Sequence, residues 1–163
     1  MLCDLLDLYN LQKELDLEIQ QNHHIDYPTT RNKRIVALLV ELGEFANTTR
    51  CFKFWSNKGQ EAKEIVLDEY ADGLHFLLSL GIDRGYILET LEVEDNDLSL
   101  TDLLLKTYDL VSIFSKKGSK ENYIEMFKSY LRMLFKINYS WKEAKEAYYL
   151  KCKINHHRQE TNY

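Results

Sequence analysis

The sequence predicts an all-α fold, a multi-helix bundle with its active site between two carboxylate-bearing helices. Three observations carry that prediction. One proline and six glycines in 163 residues are too few breakers for a turn-rich β protein. Apolar residues recur at helical spacing in the first segment, at Leu5, Leu8, Leu11, Leu15 and Ile19. Two later runs, IVALLVELGEFA (35–46) and IVLDEYADGLHFLLSLGI (65–82), are apolar almost all the way round, as buried helices are.

The elements follow in order. A first helix is expected over residues 2 to about 22, with Gln12 on it and Asp16 one turn later. Residues 23–30 read as a loop, because the residue before Pro28 leaves the helical region. Thr29 or Thr30 suits the cap of the next helix, which runs to about residue 49. CFKFWSNKG (51–59) breaks the pattern with three aromatics and two lysines. The second carboxylate helix spans about 61–80, with Gly81 as its C-terminal cap. The acidic stretch 83–96 reads as a short helix plus loop. Residues 97–114 form an amphipathic helix capped by Ser99 or Thr101, and SKKGSK (115–120) is a turn around Gly118. Residues 121–137 form a helix rich in Tyr and Phe. Ser140 caps the last helix, with Glu143 completing an S-x-x-E capping box. Tyr148, Lys151, Asn155 and Arg158 lie along one stripe of it.

Length and content fit one soluble domain over residues 1–163 with a real core. A net charge of -5 argues against a general nucleic-acid binder. Cys3, Cys51 and Cys152 are odd in number and lack a CxxC, so they read as free thiols in a reducing compartment. The opening MLCDLLDLYN is acidic where a signal peptide would be basic. No run is apolar enough to span a bilayer, so a cytoplasmic protein is expected.

The two apolar runs carry acids. Glu41 and Glu44 share a helix face in the first, and Glu69 and Asp72 share one in the second. A single E-x-x-E says little, since surface helices are rich in Glu; here the apolar surroundings give it weight. Burying a carboxylate costs several kcal/mol unless a partner, a proton or a metal meets it. Neither run contains a Lys or Arg, so the acids either bind a hard divalent ion, most simply Mg²⁺, or pair with a cation from another helix.

His75 lies three residues after Asp72 on the same face. Alone such a histidine is usually a packed core residue; beside these acids a hydrogen bond to substrate fits better than ligation of hard Mg²⁺. Gly43 and Gly73, each costing about 1 kcal/mol in a helix, point to close packing or close approach of a ligand. Trp55, Phe52 and Phe54 can stack on a flat base, with Lys53 and Lys58 for phosphate, or can serve as core or dimer contacts. Lys151, Asn155 and Arg158 make a basic stripe that suits phosphate oxygens, or else a frayed solvated terminus. Together these features imply metal-assisted chemistry on a nucleotide. The chain has no Walker A loop and no G-x-G-x-x-G.

Four segments resemble the dimeric, all-α dUTPases, a family related to the MazG-like nucleotide pyrophosphatases. They are ELGEFAN (41–47), FKFWS (52–56), DEYADGLHFLLSLG (68–81) and the closing K-x-x-x-N-x-x-RQ-x-x-x-Y (151–163). The paired E-x-x-E and E-x-x-D motifs mark the superfamily; FKFWS, the His75–Phe76 pair and the C-terminal motif mark the dUTPase branch. The resemblance covers nearly the whole chain, from LQKELD (11–16) onward. It implies hydrolysis of dUTP to dUMP and pyrophosphate, with dUDP as a second substrate, which keeps uracil out of DNA. It implies Glu41, Glu44, Glu69 and Asp72 as catalytic ligands of two or more Mg²⁺ ions, with Glu41 also orienting or deprotonating the attacking water. Gln12 and Trp55 would recognise uracil. His75 would hydrogen-bond the 3′-hydroxyl, and Phe76 would pack on the sugar to exclude ribose. Lys58, Lys151, Asn155, Arg158 and Tyr163 would hold the phosphates. A homodimer is implied, with the partner chain closing part of the base pocket.

Two other readings remain at this point. One is a MazG-like pyrophosphatase for another nucleotide such as dCTP. The other is a dUTPase-like protein whose surface, around residues 83–96, also captures a regulatory protein.

Overall fold

The structure, a computed structural model, describes residues 1–161. It is a bundle of six helices with one two-stranded ribbon among those residues: β1 (Leu2–Asp4), α1 (Leu6–His23), α2 (Tyr27–Thr49), α3 (Lys63–Arg84), β2 (Thr90–Glu92), α4 (Leu100–Lys116), α5 (Lys120–Ile137) and α6 (Trp141–Glu160). The all-α expectation holds. No helix among the described residues is long and apolar enough to cross a membrane.

The central helix is α3, which packs on α2, α6 and α1. Twelve of its residues are buried, among them Tyr70, Leu74, Leu77 and Leu78. By contrast α2 is not apolar-buried all round: Val36 and Val40 are half exposed or more. The apolar run there covers an inner face of Ile35, Leu38, Leu42 and Phe45 and spills onto the surface.

Three glycines on α2 and α3 are explained by tyrosines from α4 and α5. A Cβ on Gly73 would stand 2.2 Å from Tyr130 Oη, and one on Gly81 would stand 2.2 Å from Tyr123 Oη. Tyr130 donates to the Tyr70 carbonyl at 2.6 Å and Tyr123 to the Leu77 carbonyl at 2.9 Å. On α2 the same arrangement recurs more loosely: a Cβ on Gly43 would lie 3.4 Å from Tyr108 Oη, which donates to the Leu39 carbonyl at 2.9 Å. Each phenol enters a notch left by a missing side chain and bonds a carbonyl three or four residues upstream. The close helix packing expected of Gly43 and Gly73 is therefore present.

Several boundaries move for identifiable reasons. The chain starts as a strand, because Cys3 is buried between exposed Leu2 and Asp4 and pairs with Leu91 across the ribbon. Asp26, not a threonine, caps α2; its carboxylate accepts from Thr29 N, Thr29 returns the bond to complete a capping box, and Pro28 fits the first turn, which needs no N–H donor. Gly81 does not end α3. The helix runs on to Arg84, and Gly85 caps it at φ 71°. Ser99 caps α4, and the Ser140–Glu143 box opens α6 as expected.

The 83–96 stretch is structural rather than loose. Asp83 ends inside α3, buried against Arg31 at 2.7 Å and Arg34 at 3.3 Å, and β2 closes the ribbon with Leu88, Leu91 and Val93 in the core. Deleting it would remove core, so a partner surface there has to be probed at exposed Glu89, Glu92 or Glu94 instead.

Candidate active site

Two cavities adjoin where α1, α2, α3 and α6 meet. The first, about 430 Å³, is walled by Glu41 and Glu44 of α2, Asp68, Glu69 and Asp72 of α3, and Lys151 and Arg158 of α6. The second, about 300 Å³, is lined by Gln12 and Asp16 of α1, Tyr27 and Arg34 of α2, and Ser79 of α3, with Leu15, Ile19 and Ile25 supplying apolar wall. His75, Phe76 and Asn155 line both, so they form the partition between them.

The acids gather because E-x-x-E on α2 and E-x-x-D on α3 turn the same way where the two helices pack. Glu41, Glu69 and Asp72 each offer an oxygen within 4.8 Å of the others, and all three are half-buried. Glu44 stands at the exposed rim of the same cavity. Burial, and then the charges of Asp72, Glu44 and Glu69, push Glu41 up to about 7. Burial with Glu44, Asp72 and Asp68 raises Glu69 as well. Asp72 is raised by burial although Lys151 opposes the shift. Glu41 Oε2 is buried without a hydrogen-bond partner.

Such a set fits a hard divalent cation. Every donor is a carboxylate oxygen, one of them is orphaned, and the acids repel each other unless positive charge enters. A cation from another helix is already part of the answer: Lys151 Nζ pairs with Asp68 at 2.8 Å and Asp72 at 2.6 Å. It leaves Glu41 and Glu69 unmatched. Lys151, expected on phosphate, is itself buried and engaged in this pair.

The partition is built for polar precision. His75 is buried, and burial followed by the charges of Lys151 and His156 pushes its imidazolium down to about 3, so the ring is neutral. Its Nδ1 lies 2.7 Å from Gln12 Oε1, its ring stacks on Tyr148 at 4.3 Å, and its Nε2 has no partner. Arg158 donates to Asn155 Oδ1 at 3.3 Å, and its charge also reaches Asp72. The last turns of α6 are fastened to the end of α1 by His156 on Glu18 and by His23 Nε2 on Gln159 at 3.2 Å.

The structure therefore brings together Gln12, Glu41, Glu44, Glu69, Asp72, His75, Phe76, Lys151, Asn155 and Arg158 around the two cavities. It does not bring Trp55 or Lys58 to either one. Trp55 is 65% exposed and meets Phe52 and Phe54 edge-on in its own loop. Tyr163 lies outside the described residues. Sequence reasoning missed Asp68, Tyr27, Arg34 and Ser79. Asp68 had a visible signal, one helical turn before Asp72; Arg34 and Ser79 had none, because their meeting depends on how α2 crosses α3.

The model of the all-α dUTPase family, described as dUTPase, matches residues 4–163. No curated protein matches the chain.

Proposed function

The chain belongs to the dUTPase family, and from that premise we propose that it hydrolyses dUTP to dUMP and pyrophosphate with Mg²⁺ as its metal. The dUTP diphosphatase activity and the need for a divalent metal come with the family. The observation that most supports the finer reading is the partition: an acid-lined cavity opens beside a largely apolar one of about 300 Å³, across His75, Phe76 and Asn155. That size is at the lower end of small-molecule sites, roughly 300–1,000 Å³. A nucleotide fits such a pair of spaces with its base on one side and its phosphates on the other.

In this reading Glu41, Glu69 and Asp72, with Glu44 at the rim, hold two or more Mg²⁺ ions. Bound Mg²⁺ supplies charge neutralisation for the phosphates and lowers the pKa of an adjacent water. Glu41 orients the attacking water and takes its proton. Its unpartnered Oε2 leaves an oxygen for that role. Lys151, Asn155 and Arg158 hold phosphate oxygens, and Lys151 has to share itself between phosphate and the Asp68–Asp72 pair. His75 Nε2 accepts from the 3′-hydroxyl, Phe76 packs on the sugar, and Gln12 lies beside the base. Cleavage of dUDP requires no further residues.

The homodimer stays part of the proposal. Phe54 and Trp55 at 93% and 65% exposure are apolar surface of the kind a partner chain covers, and Trp55 and Lys58 would then act on substrate from that interface. Three free cysteines agree with a reducing, cytoplasmic setting.

The test is pyrophosphate release from dUTP with and without Mg²⁺, run against dCTP, dTTP and UTP. Turnover of dUTP only with metal, and well ahead of the other three, is expected. Preference for dCTP would transfer the reading to another nucleotide, and turnover in chelator would refute the metal.

A further inference from the structure

Behind His75 runs a chain of hydrogen bonds whose directions all follow from an ionised Asp16; burial opposes that charge, while hydrogen bonds from Ser79, Gln12 and Tyr27 and the charge of Arg34 favour it. Asp16 is 8% exposed. Its Oδ1 accepts from Gln12 Nε2 at 2.8 Å, and its Oδ2 accepts from Ser79 Oγ at 2.7 Å and Tyr27 Oη at 3.0 Å. An ionised carboxylate accepts only, so the end of the Gln12 amide that faces it is the NH₂. The amide oxygen then points the other way, where it lies 2.7 Å from His75 Nδ1 and 2.9 Å from Tyr148 Oη. An amide oxygen also accepts only, so Nδ1 carries the imidazole proton. Burial keeps the ring neutral, with a single N–H. Nε2 is left as a bare lone pair, buried and unpartnered, on a residue that lines both cavities. Stacked on Tyr148, the ring is held in plane.

We propose that Asp16 is a positioning residue: by setting the direction of the Gln12 amide it holds His75 in the Nδ1–H tautomer, so that Nε2 presents an acceptor to the hydroxyl of the bound nucleotide. The tautomer follows from Asp16 and Gln12 alone; only the identity of the hydroxyl rests on the dUTP reading. A deoxynucleotide carries one sugar hydroxyl, and that hydroxyl is the donor the lone pair calls for. Asp16 touches no reacting atom and acts through two other side chains.

The experiment is ¹⁵N-correlated NMR of the histidine side chains in the metal- and substrate-free chain, with kinetics alongside. In the unaltered protein His75 shows a protonated Nδ1 and a pyridine-like Nε2; the reverse assignment overturns the proposal outright. Asp16→Leu removes the acceptor, and the Gln12 NH₂ turns to His75 Nδ1 for a partner. The Nε2–H tautomer should then appear and KM for dUTP should rise ~2- to 10-fold, the worth of one hydrogen bond, with kcat nearly unchanged. Asp16→Asn keeps an oxygen for Gln12, while its NH₂ can be received by the hydroxyls of Ser79 and Tyr27. It should restore the Nδ1–H signature. An Asp16→Leu protein that keeps the Nδ1–H tautomer refutes the role of Asp16, and Asp16→Ala is read in the same way if the leucine variant does not fold. A chain inactive on dUTP but showing these tautomers would sink the substrate reading and leave the positioning role standing.

Discussion

Lys151 Nζ lies 2.6 Å from Asp72 Oδ2. An ion pair to α6 is thus built into the acid cavity in the absence of metal, and Asp68 shares its lysine at 2.8 Å. Replacing Lys151 by Met should leave Asp72 facing Glu41 and Glu69 with the charge of Arg158 as its remaining counterweight. The metal-free protein should lose about 1–3 kcal/mol of stability, less than a fully buried pair would lose because Asp68 is half exposed. Millimolar Mg²⁺ should recover part of the loss. Thermal unfolding with and without Mg²⁺ decides; an equal drop in both would count against the cavity as a cation site.

Glu41 gives the opposite sign. It is held at about 7, above the ordinary 4.5, so the metal-free fold disfavours its ionised form. Below pH 4.5 it is protonated in folded and unfolded chains alike, and Glu41→Gln should match the parent in stability. As pH rises toward 7 the unfolded chain ionises first, the parent loses ground, and the variant should melt at the higher temperature. Mg²⁺ should shrink or reverse that gap, while pyrophosphate release from dUTP is abolished in the variant. Melting curves from pH 4 to 8 in chelator check it.

Asp83 ties the ends of α2 and α3 and bears on the base cavity through Arg34. Burial would raise it, but the Arg31 hydrogen bond and the charges of Arg34 and Arg31 outweigh that and hold it below 3.8. Asp83→Asn should cost roughly 3 kcal/mol at neutral pH, since two guanidinium groups lose their counter-charge and one of its two acceptor oxygens. The difference from the parent should begin to shrink as pH falls to 3.8, where the unfolded chain takes up its proton, and should vanish only at the lower pH where the native carboxylate protonates too. Urea unfolding at pH 7 and at pH 3 gives both numbers.

Gly73→Ala and Gly43→Ala make a matched pair. The first places a Cβ 2.2 Å from Tyr130 Oη and should destabilise by about 1–3 kcal/mol. The second meets Tyr108 Oη at 3.4 Å, and its gain in helix propensity, about 1 kcal/mol, should leave stability level or slightly improved. Equal effects at the two sites would mean the notches do not govern the packing.

What could be read from the chain beforehand was whatever is local. Helical spacing, the Ser140–Glu143 box and the two acid pairs each lie within one element, and each is found where spacing puts it. What escaped depends on one element crossing another. β1 is three residues long, too short for its alternation to show, and exists only because β2 meets it. Asp26 was overlooked as a cap in favour of the threonines beside it, although the two cooperate. Gly81 looked like a helix end, yet it is a seat for a ring 42 positions later in sequence, Tyr123. The cation on Asp72 came from α6, which no reading of α3 alone reveals.

The seating of Tyr130 on Gly73 has a consequence for divergence. One step along a helix swings a side chain through about 100°, so a small roll of α3 would carry Asp72 and His75 away from their spaces. The phenol bonded to the Tyr70 carbonyl works as a dowel against that roll. Positions 73 and 130 should therefore change together in descendants of this chain, a smaller ring arriving with any bulkier residue, even though neither position ever meets a nucleotide.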